Sequence, residues 1–388
     1  MPPIPLLLSA GEASGDMYAA RLATALKQRL DVAIFGMGGP QMRAAGVEII
    51  TDYSEVSVVG ITEVLKRLPS LFRAMRRLVH EAELRRPPLA ILTDFPGFHL
   101  RLARKLRPQG IRNVYYICPQ FWAWRPWRVN LVRQRFAQAL CIFPFEEKFY
   151  GDAGVPVKFI GHPLVGNVKP TMTRELFRKK YGLEGGNKIL TILPGSRRGE
   201  IAHHVPVLIE ALAEIRQSLP GPPEIVVAVA PGLDVPRLEA RFPSDWHVRF
   251  VEDDTYNALA AADLAIVSSG TATVETALLG KPMIVVYRLS PLTARLAKPL
   301  VKTKFFSMVN LIAGRTVAPE LIQNDFTPQQ VAAEAVNLLS ASEESKTRVE
   351  EMIRGLGEVR RLLGPPGAVE RAADEIVKLL NAAKSNAK

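Results

Sequence analysis

Five short segments combine glycine, hydroxyl residues, carboxylates and arginine in ways that suit phosphate and hydroxyl chemistry. The first, Gly11-Glu12-Ala13-Ser14-Gly15-Asp16, follows an apolar run and opens a helical pattern. Its glycines let backbone approach a ligand, and a helix start offers free N–H groups with about half a positive charge. The spacing is not a dinucleotide fingerprint. A plain turn capped by Ser14 or Asp16 would use the same residues. Two carboxylates in so short a loop also suit acid–base work, so Glu12 and Asp16 are catalytic candidates. Gly11, Ser14 and Gly15 are candidate substrate contacts. The second segment is Thr93-Asp94-Phe95-Pro96-Gly97-Phe98-His99. Asp94 ends an apolar run and should stand at a sheet's carboxyl edge, where nearby aromatics limit water. That suits a general base acting on a hydroxyl, with a turn or cap aspartate as the alternative. His99 reads as a satisfied histidine rather than a catalyst.

The third segment, Leu193-Pro194-Gly195-Ser196-Arg197-Arg198-Gly199-Glu200, places Ser196 and Arg197 at another helix start. An arginine fork matches diphosphate oxygens, although the P-loop pattern is absent. The fourth, Ser268 to Glu275, puts Ser269, Gly270 and Thr271 after an apolar run. Glu275 there suits ribose hydroxyls, or else a helix-start glutamate. Two anion-ready helix starts place a nucleotide in the second half of the chain. The fifth is Asn310, an amide within apolar Phe305 to Arg315 that could meet a base or sugar. Asp253-Asp254 reads as a helix cap, and His203 and His204 should point to different helix faces. No metal set and no cofactor are expected, which leaves phosphate charge to helix N-termini and Arg197.

These segments recur at equivalent places in a repeating grammar of apolar run, glycine-rich turn and amphipathic helix. Strands are expected at 4–8, 32–35, 89–93, 113–117, 139–143 and 157–160, then at 189–193, 224–229, 247–251, 264–267 and 282–287. Helices are expected at 17–30, 173–181 and 201–218. The alternation implies α/β architecture with mainly parallel sheets. Two Rossmann-like, doubly wound domains facing a cleft are the simplest assembly, with ligands at the strands' carboxyl ends. The expected limits are 1–167, 168–355, and a helical tail at 356–388.

The chain has 388 residues, 48% of them hydrophobic, and a formal net charge of +12, so its partners should be anionic. The two cysteines, Cys118 and Cys141, read as reduced core residues of a cytoplasmic protein. No signal peptide and no spanning segment is expected, so any membrane contact is peripheral. Residues 62–86 hold seven Lys or Arg and three Glu. Val59, Val64, Leu68, Phe72 and Met75, with Arg73, Arg76 and Arg77, form a candidate acyl- and lipid-facing surface, with Pro69 starting a new helix. An ordinary amphipathic helix packed on the sheet is the alternative. Residues 101–135 hold nine Lys or Arg and no acid, interleaved with Phe121, Trp122, Trp124 and Trp127. No nucleic-acid motif accompanies them, so a nucleic-acid partner is not expected.

Taken in order, SAGEASGD, SVVGITEVL, DFPGF, PQFWAWRPWR, FIGHPL, LPGSR, SGTATVET and MVNLIAGR resemble the lipid-A-disaccharide synthase family along nearly the whole chain. The resemblance implies a GT-B fold and an enzyme at the cytoplasmic face of the inner membrane. It implies inverting transfer of 2,3-diacylglucosamine from UDP to the 6-hydroxyl of 2,3-diacylglucosamine 1-phosphate. Asp94 matches the family's essential aspartate and Arg197 its diphosphate-contacting arginine. Glu275 and Asn310 match nucleotide-holding positions, and Glu12, Ser14 and Asp16 match the loop facing the cleft. Some members carry a second acid where this chain has Gly97. The partners implied are a UDP-sugar donor, an acylated sugar phosphate acceptor and an anionic membrane surface. A homodimer is compatible with the helical tail. Three rivals are a peptidoglycan N-acetylglucosaminyltransferase, whose GGTGGH-type loop is absent, a UDP-sugar 2-epimerase and a non-catalytic adaptor.

Overall fold

The computed structural model describes residues 2–56, 61–183, 186–290 and 303–385, with backbone alone for 61–68 and 383–385. Apolar runs without alternation need cover on both faces, which in α/β proteins comes from crossover helices. Seven such strands form one parallel sheet: β1 (Ile4–Ala10), β2 (Val32–Gly38), β3 (Glu48–Asp52), β4 (Leu89–Thr93), β5 (Arg112–Tyr116), β6 (Gln138–Cys141) and β7 (Val157–Phe159). Their order is β3-β2-β1-β4-β5-β6-β7. The second sheet comprises β8 (Ile189–Leu193), β9 (Glu224–Val229), β10 (Arg249–Glu252), β11 (Leu264–Ser268), β12 (Met283–Tyr287) and β13 (Glu320–Ile322), ordered β10-β9-β8-β11-β12-β13. Every residue of β4, β8 and β11 is buried, which explains their unbroken apolar sequences. In each sheet the order reverses once, between β1 and β4 and between β8 and β11. In each unit the loops after its two strands therefore flank the crevice that a doubly wound sheet offers to ligands. They are the loops that begin at Gly11, Asp94, Pro194 and Ser269.

The chain divides into two units, residues 1–163 with 364–388, and residues 164–363. The boundary therefore precedes the expected 167, and the tail is not a third body. Residues 356–362 end the helix Glu343–Leu362 of the second unit. The helix Ala368–Ser385 returns to the first unit and packs on the helix Ala13–Lys27. It buries Ala372, Ala373, Ile376 and Leu380, and Asp374 accepts from Arg29 at 2.8 Å.

The helix Ile61–Arg85 runs through Pro69 instead of restarting there. Pro69 forfeits one backbone bond, but burial of Ala74, Met75, Leu78 and Ala82 beyond it holds the helix to the core. Met75 is only 6% exposed and faces that core, so it is not part of an outward surface. The helical period marks a stripe, and here the stripe containing Met75 is the one the sheet covers. Phe72, 63% exposed, and Arg73, Arg76 and Arg77 lie on the open side. Arg77 sits 3.7 Å from Glu55. Val59 lies outside the described residues, as do the side chains of Val64 and Leu68.

Candidate active site

The first unit gathers its chemistry where β1 and β4 end. Asp94 and Phe95 both adopt left-handed backbone, at φ 45° and 46°. Such conformations cost non-glycine residues on the order of 1–3 kcal/mol each and persist only where surroundings impose them. The surroundings are explicit. Asp94 N–H donates to the Tyr116 carbonyl at 3.1 Å. The Asp94 carbonyl accepts from Tyr115 Oη at 3.0 Å and from His99 Nδ1 at 2.7 Å. Since that carbonyl can only accept, His99 carries its proton on Nδ1, and Nε2, 2.8 Å from Ser9 Oγ, accepts from the serine. Gly11 lies directly beneath Phe95: a Cβ there would come within 2.2 Å of the ring, so the β1 and β4 loops touch only because residue 11 lacks one.

This frame holds the Asp94 backbone, while its carboxylate accepts from the Phe95 N–H. Burial, then the charge of nearby Glu12, raise the Asp94 carboxyl from its ordinary 3.8 to about 7, with the Phe95 N–H opposing. A carboxyl half-protonated near neutrality can take a proton from a hydroxyl. His99 is fully buried, and burial lowers its ring to about 4, so it stays neutral and orients rather than titrates. Glu12, the N-cap of the helix Ala13–Lys27, and Ser14 in its first turn are exposed, and Gly15 is buried.

Asp16 takes a different part from the one expected. It is 1% exposed, and its oxygens accept from the backbone N–H groups of Gly39, Gln41 and Met42 at 2.7, 3.0 and 3.2 Å. These are the otherwise unpaired donors opening the helix Pro40–Ala44. Asp16 therefore fixes that helix and is not a base.

In the second unit, a cavity of about 590 Å³ opens where β8 and β11 end. Its walls include Ser196, Arg197, Ser269, Gly270, Thr271 and Glu275. The size suits a small-molecule site. The turn before the helix Arg198–Ser218 is shaped by Glu200, whose Oε2 accepts from Ser196 N–H at 2.9 Å and Arg197 N–H at 3.3 Å. Gly195 at φ 127° makes room, since a Cβ there would meet that carboxylate at 2.6 Å. The Arg197 side chain is 61% exposed at the cavity wall, 3.6 Å from Glu200. Across the cavity wall, Glu275 Oε1 accepts from Tyr256 Oη at 2.9 Å, and burial raises its carboxyl above the ordinary range. Ser268 Oγ, also at the wall, is buried with no hydrogen-bond partner among the described residues.

Asn310 does not line this cavity. It is fully buried, and its amide is saturated: Nδ2 donates to the Ala318 carbonyl and Glu320 Oε1, each at 2.8 Å, while Oδ1 accepts from Val317 and Ala318 N–H at 2.7 and 3.0 Å. Its role is to fold the segment between the helix Met308–Ala313 and β13, and the expected nucleotide contact is corrected accordingly.

Several functional-looking groups had little sequence signal. Tyr115 is an apolar-strand residue by pattern, and Ser9 sits at the end of an apolar run. Glu200, three residues after Arg197, does fit a capping-box spacing and was legible in principle. Glu146 is fully buried and accepts from Trp122 Nε1 at 3.1 Å and from Ile142 and Phe143 N–H. Burial raises its carboxyl to about 8 against those donors. Cys118 and Cys141 are buried free thiols whose ionisation burial pushes upward, so neither is poised as a nucleophile. Among the described residues no His, Cys, Asp and Glu cluster could hold a metal, and no helix is long and apolar enough to cross a membrane.

Comparison with known proteins narrows what this arrangement serves. The family described as Lipid-A-disaccharide synthetase matches residues 6–362. The lipid-A-disaccharide synthase of Solibacter usitatus is 44% identical over 377 residues, 97% of each chain. Among solved structures, the calicheamicin glycosyltransferase CalG4 aligns with a TM-score of 0.60 at 19% identity, covering 98% of this chain and 99% of its own. The UDP-GlcNAc 2-epimerase from Neisseria meningitidis, bound to UDP-GlcNAc, aligns at 0.63 and 12% identity, covering 98% and 100%. Transferase and epimerase thus share the GT-B architecture of this chain, so fold alone does not choose between them. The sequence relatives do.

Proposed function

The chain belongs to the lipid-A-disaccharide synthetase family, and from that premise we propose that it moves 2,3-diacylglucosamine from UDP to the 6-hydroxyl of 2,3-diacylglucosamine 1-phosphate, inverting the anomeric carbon. The acceptor oxygen bonds to the donor's anomeric carbon as the bond to the UDP diphosphate breaks. The hydroxyl proton passes to Asp94, and the electron pair leaves on the diphosphate. Ser196, Arg197 and the helix start at Arg198 stabilise that departing charge, and Glu275 faces the nucleotide's hydroxyls. Exposed Phe72, Arg73, Arg76 and Arg77 hold the enzyme peripherally to anionic lipid at the cytoplasmic face of the inner membrane.

The observation that carries the base assignment is the Asp94 turn: a left-handed backbone pinned by Tyr115, Tyr116 and His99, bearing a carboxyl raised to about 7. Incubation with both substrates should give a β-linked acylated disaccharide phosphate, read by mass spectrometry and by the anomeric coupling in NMR. An α linkage would sink the inverting step. A 2-epimerised UDP-sugar formed without acceptor would move the chain to the rival chemistry.

A further inference from the structure

We propose that Arg125 and Arg128, assisted by Arg101, form a seat for the phosphate monoester of the acceptor sugar. The inference rests on the reading of the acceptor as a hexosamine 1-phosphate.

Position comes first. β5 pairs directly with β4, Tyr116 beside Thr93, so the loop after β5 leaves the same sheet edge as Asp94. That loop carries Arg125 and Arg128. Arg101 belongs to the helix Pro96–Leu106, which starts two residues after Asp94, and donates to the Gly97 carbonyl. All three cations therefore hang from the two strand ends that frame the base.

The loop is built rather than loose. Ile117 and Arg125 are both left-handed, at φ 60° and 54°. For a β-branched residue such as Ile117 this is a genuine outlier. Trp122 is anchored by buried Glu146, and Trp124 meets Phe121 edge-on at 6.4 Å. The Arg125 and Arg128 guanidinium carbons lie 5.2 and 5.4 Å from the centroid of that same Trp124 ring. Arg128 also lies 5.6 Å from the Trp127 ring. An indole orients a guanidinium while leaving its N–H edges available to oxygen acceptors.

The charge balance points the same way. Among the described residues, Arg101, Arg125 and Arg128 have no carboxylate partner, and residues 101–135 contain no acid at all. Burial, then the charges of Arg125 and Arg101, hold the Arg128 guanidinium below its usual range. Cations drawn together without a counter-charge repel, and a phosphate dianion would relieve this with forked hydrogen bonds.

Substrate geometry fits as well. In a hexosamine 1-phosphate C1 and C5 both flank the ring oxygen, so the phosphate and the 6-hydroxyl extend from nearby but distinct ring carbons, and the phosphate seat must lie near the base yet offset from it. The charge of Arg128 acts on the Tyr115 phenol, which touches the Asp94 carbonyl. The neighbouring charge on the Asp94 carboxyl is that of Glu12.

The test compares 2,3-diacylglucosamine 1-phosphate with its dephosphorylated form as acceptor, in detergent micelles, for the full chain and for the Arg125→Gln/Arg128→Gln variant. The wild type should prefer the phosphorylated acceptor about tenfold or more in kcat/KM, and the variant should lose most of that preference. Arg101→Gln, on a separate element, should lose part of it and serves if the double variant does not fold. An unchanged preference in both variants overturns the proposal. Should that failure accompany lost attachment to phosphatidylglycerol vesicles, the cluster is a membrane contact instead. If the wild type transfers to neither acceptor, the transferase reading fails, and the seat is judged by tryptophan fluorescence. Saturable quenching by glucosamine 1-phosphate but not glucosamine, lost in the variant, keeps the seat. Absence of quenching by either sugar removes it.

Discussion

Replacing Asp94 with asparagine should abolish turnover and, above neutral pH, make the first unit more stable. The sign comes from linkage. The Asp94 carboxyl sits at about 7 in the folded chain against 3.8 ordinarily. Between those values the folded state binds more protons than the unfolded one, so stability falls as pH rises through that window. The full cost of holding the carboxylate ionised is present above pH 7 and absent below about pH 4. A gap of about three pH units at about 1.36 kcal/mol each bounds the cost near 4 kcal/mol. Asp94 keeps part of its surface open to solvent, so a realistic figure is about 1–2 kcal/mol. Asparagine keeps the shape and never ionises. For a unit of this size each kcal/mol shifts Tm by about 2–4 °C. The variant's melting at pH 8 should therefore rise by about 2–8 °C, and the gain should be smaller at pH 5. Circular dichroism melts of both proteins at the two pH values decide the matter. A variant no more stable at pH 8, or equally stabilised at both, refutes the claim that burial raises this carboxyl.

Four further outcomes are expected. Acceptor-dependent kcat/KM should rise with pH through about 7 as Asp94 ionises, with no second step from His99, which is neutral above about pH 5; a profile flat from pH 5 to 9 contradicts this. Arg197→Ala should weaken UDP binding about tenfold by calorimetry, and unchanged affinity removes Arg197 from the diphosphate site. Asn310→Ala leaves the N–H groups of Val317 and Ala318 unpaired and should cost the second unit about 2–4 kcal/mol. A variant that melts normally yet loses UDP would restore the direct contact rejected above. Arg73, Arg76 and Arg77 changed together to Ser should reduce attachment to anionic vesicles by up to about 100-fold, with high salt acting likewise; salt-insensitive attachment counts against an electrostatic surface.

The strand ends were legible because residues of β4, β8 and β11 are buried on both faces, and sequences obeying that constraint are unbroken apolar runs. The residues just beyond such a run stand at the carboxyl edge, which located Asp94, Arg197 and Glu275. Partner identity was not legible. Asp16 and Glu12 look alike as two acids in one loop. Only the fold brings the helix at Pro40 over one of them and leaves the other exposed. Asn310 looks like a lone amide because its partners lie in a segment with no regular period. Met75 belongs to a correct helical stripe, but periodicity does not say which stripe the sheet covers. β3 and β13 escaped notice as short edge strands, and the bonds from His99 and Tyr115 to the Asp94 carbonyl depend on a helix and a neighbouring strand meeting the turn after β4.

The central claim is tested most directly by UDP release from UDP-2,3-diacylglucosamine, with and without 2,3-diacylglucosamine 1-phosphate, in mixed micelles. Release should require the acceptor and disappear in Asp94→Asn while UDP binding persists. Acceptor-independent release, or full activity in the variant, would contradict an acceptor-hydroxyl base at Asp94.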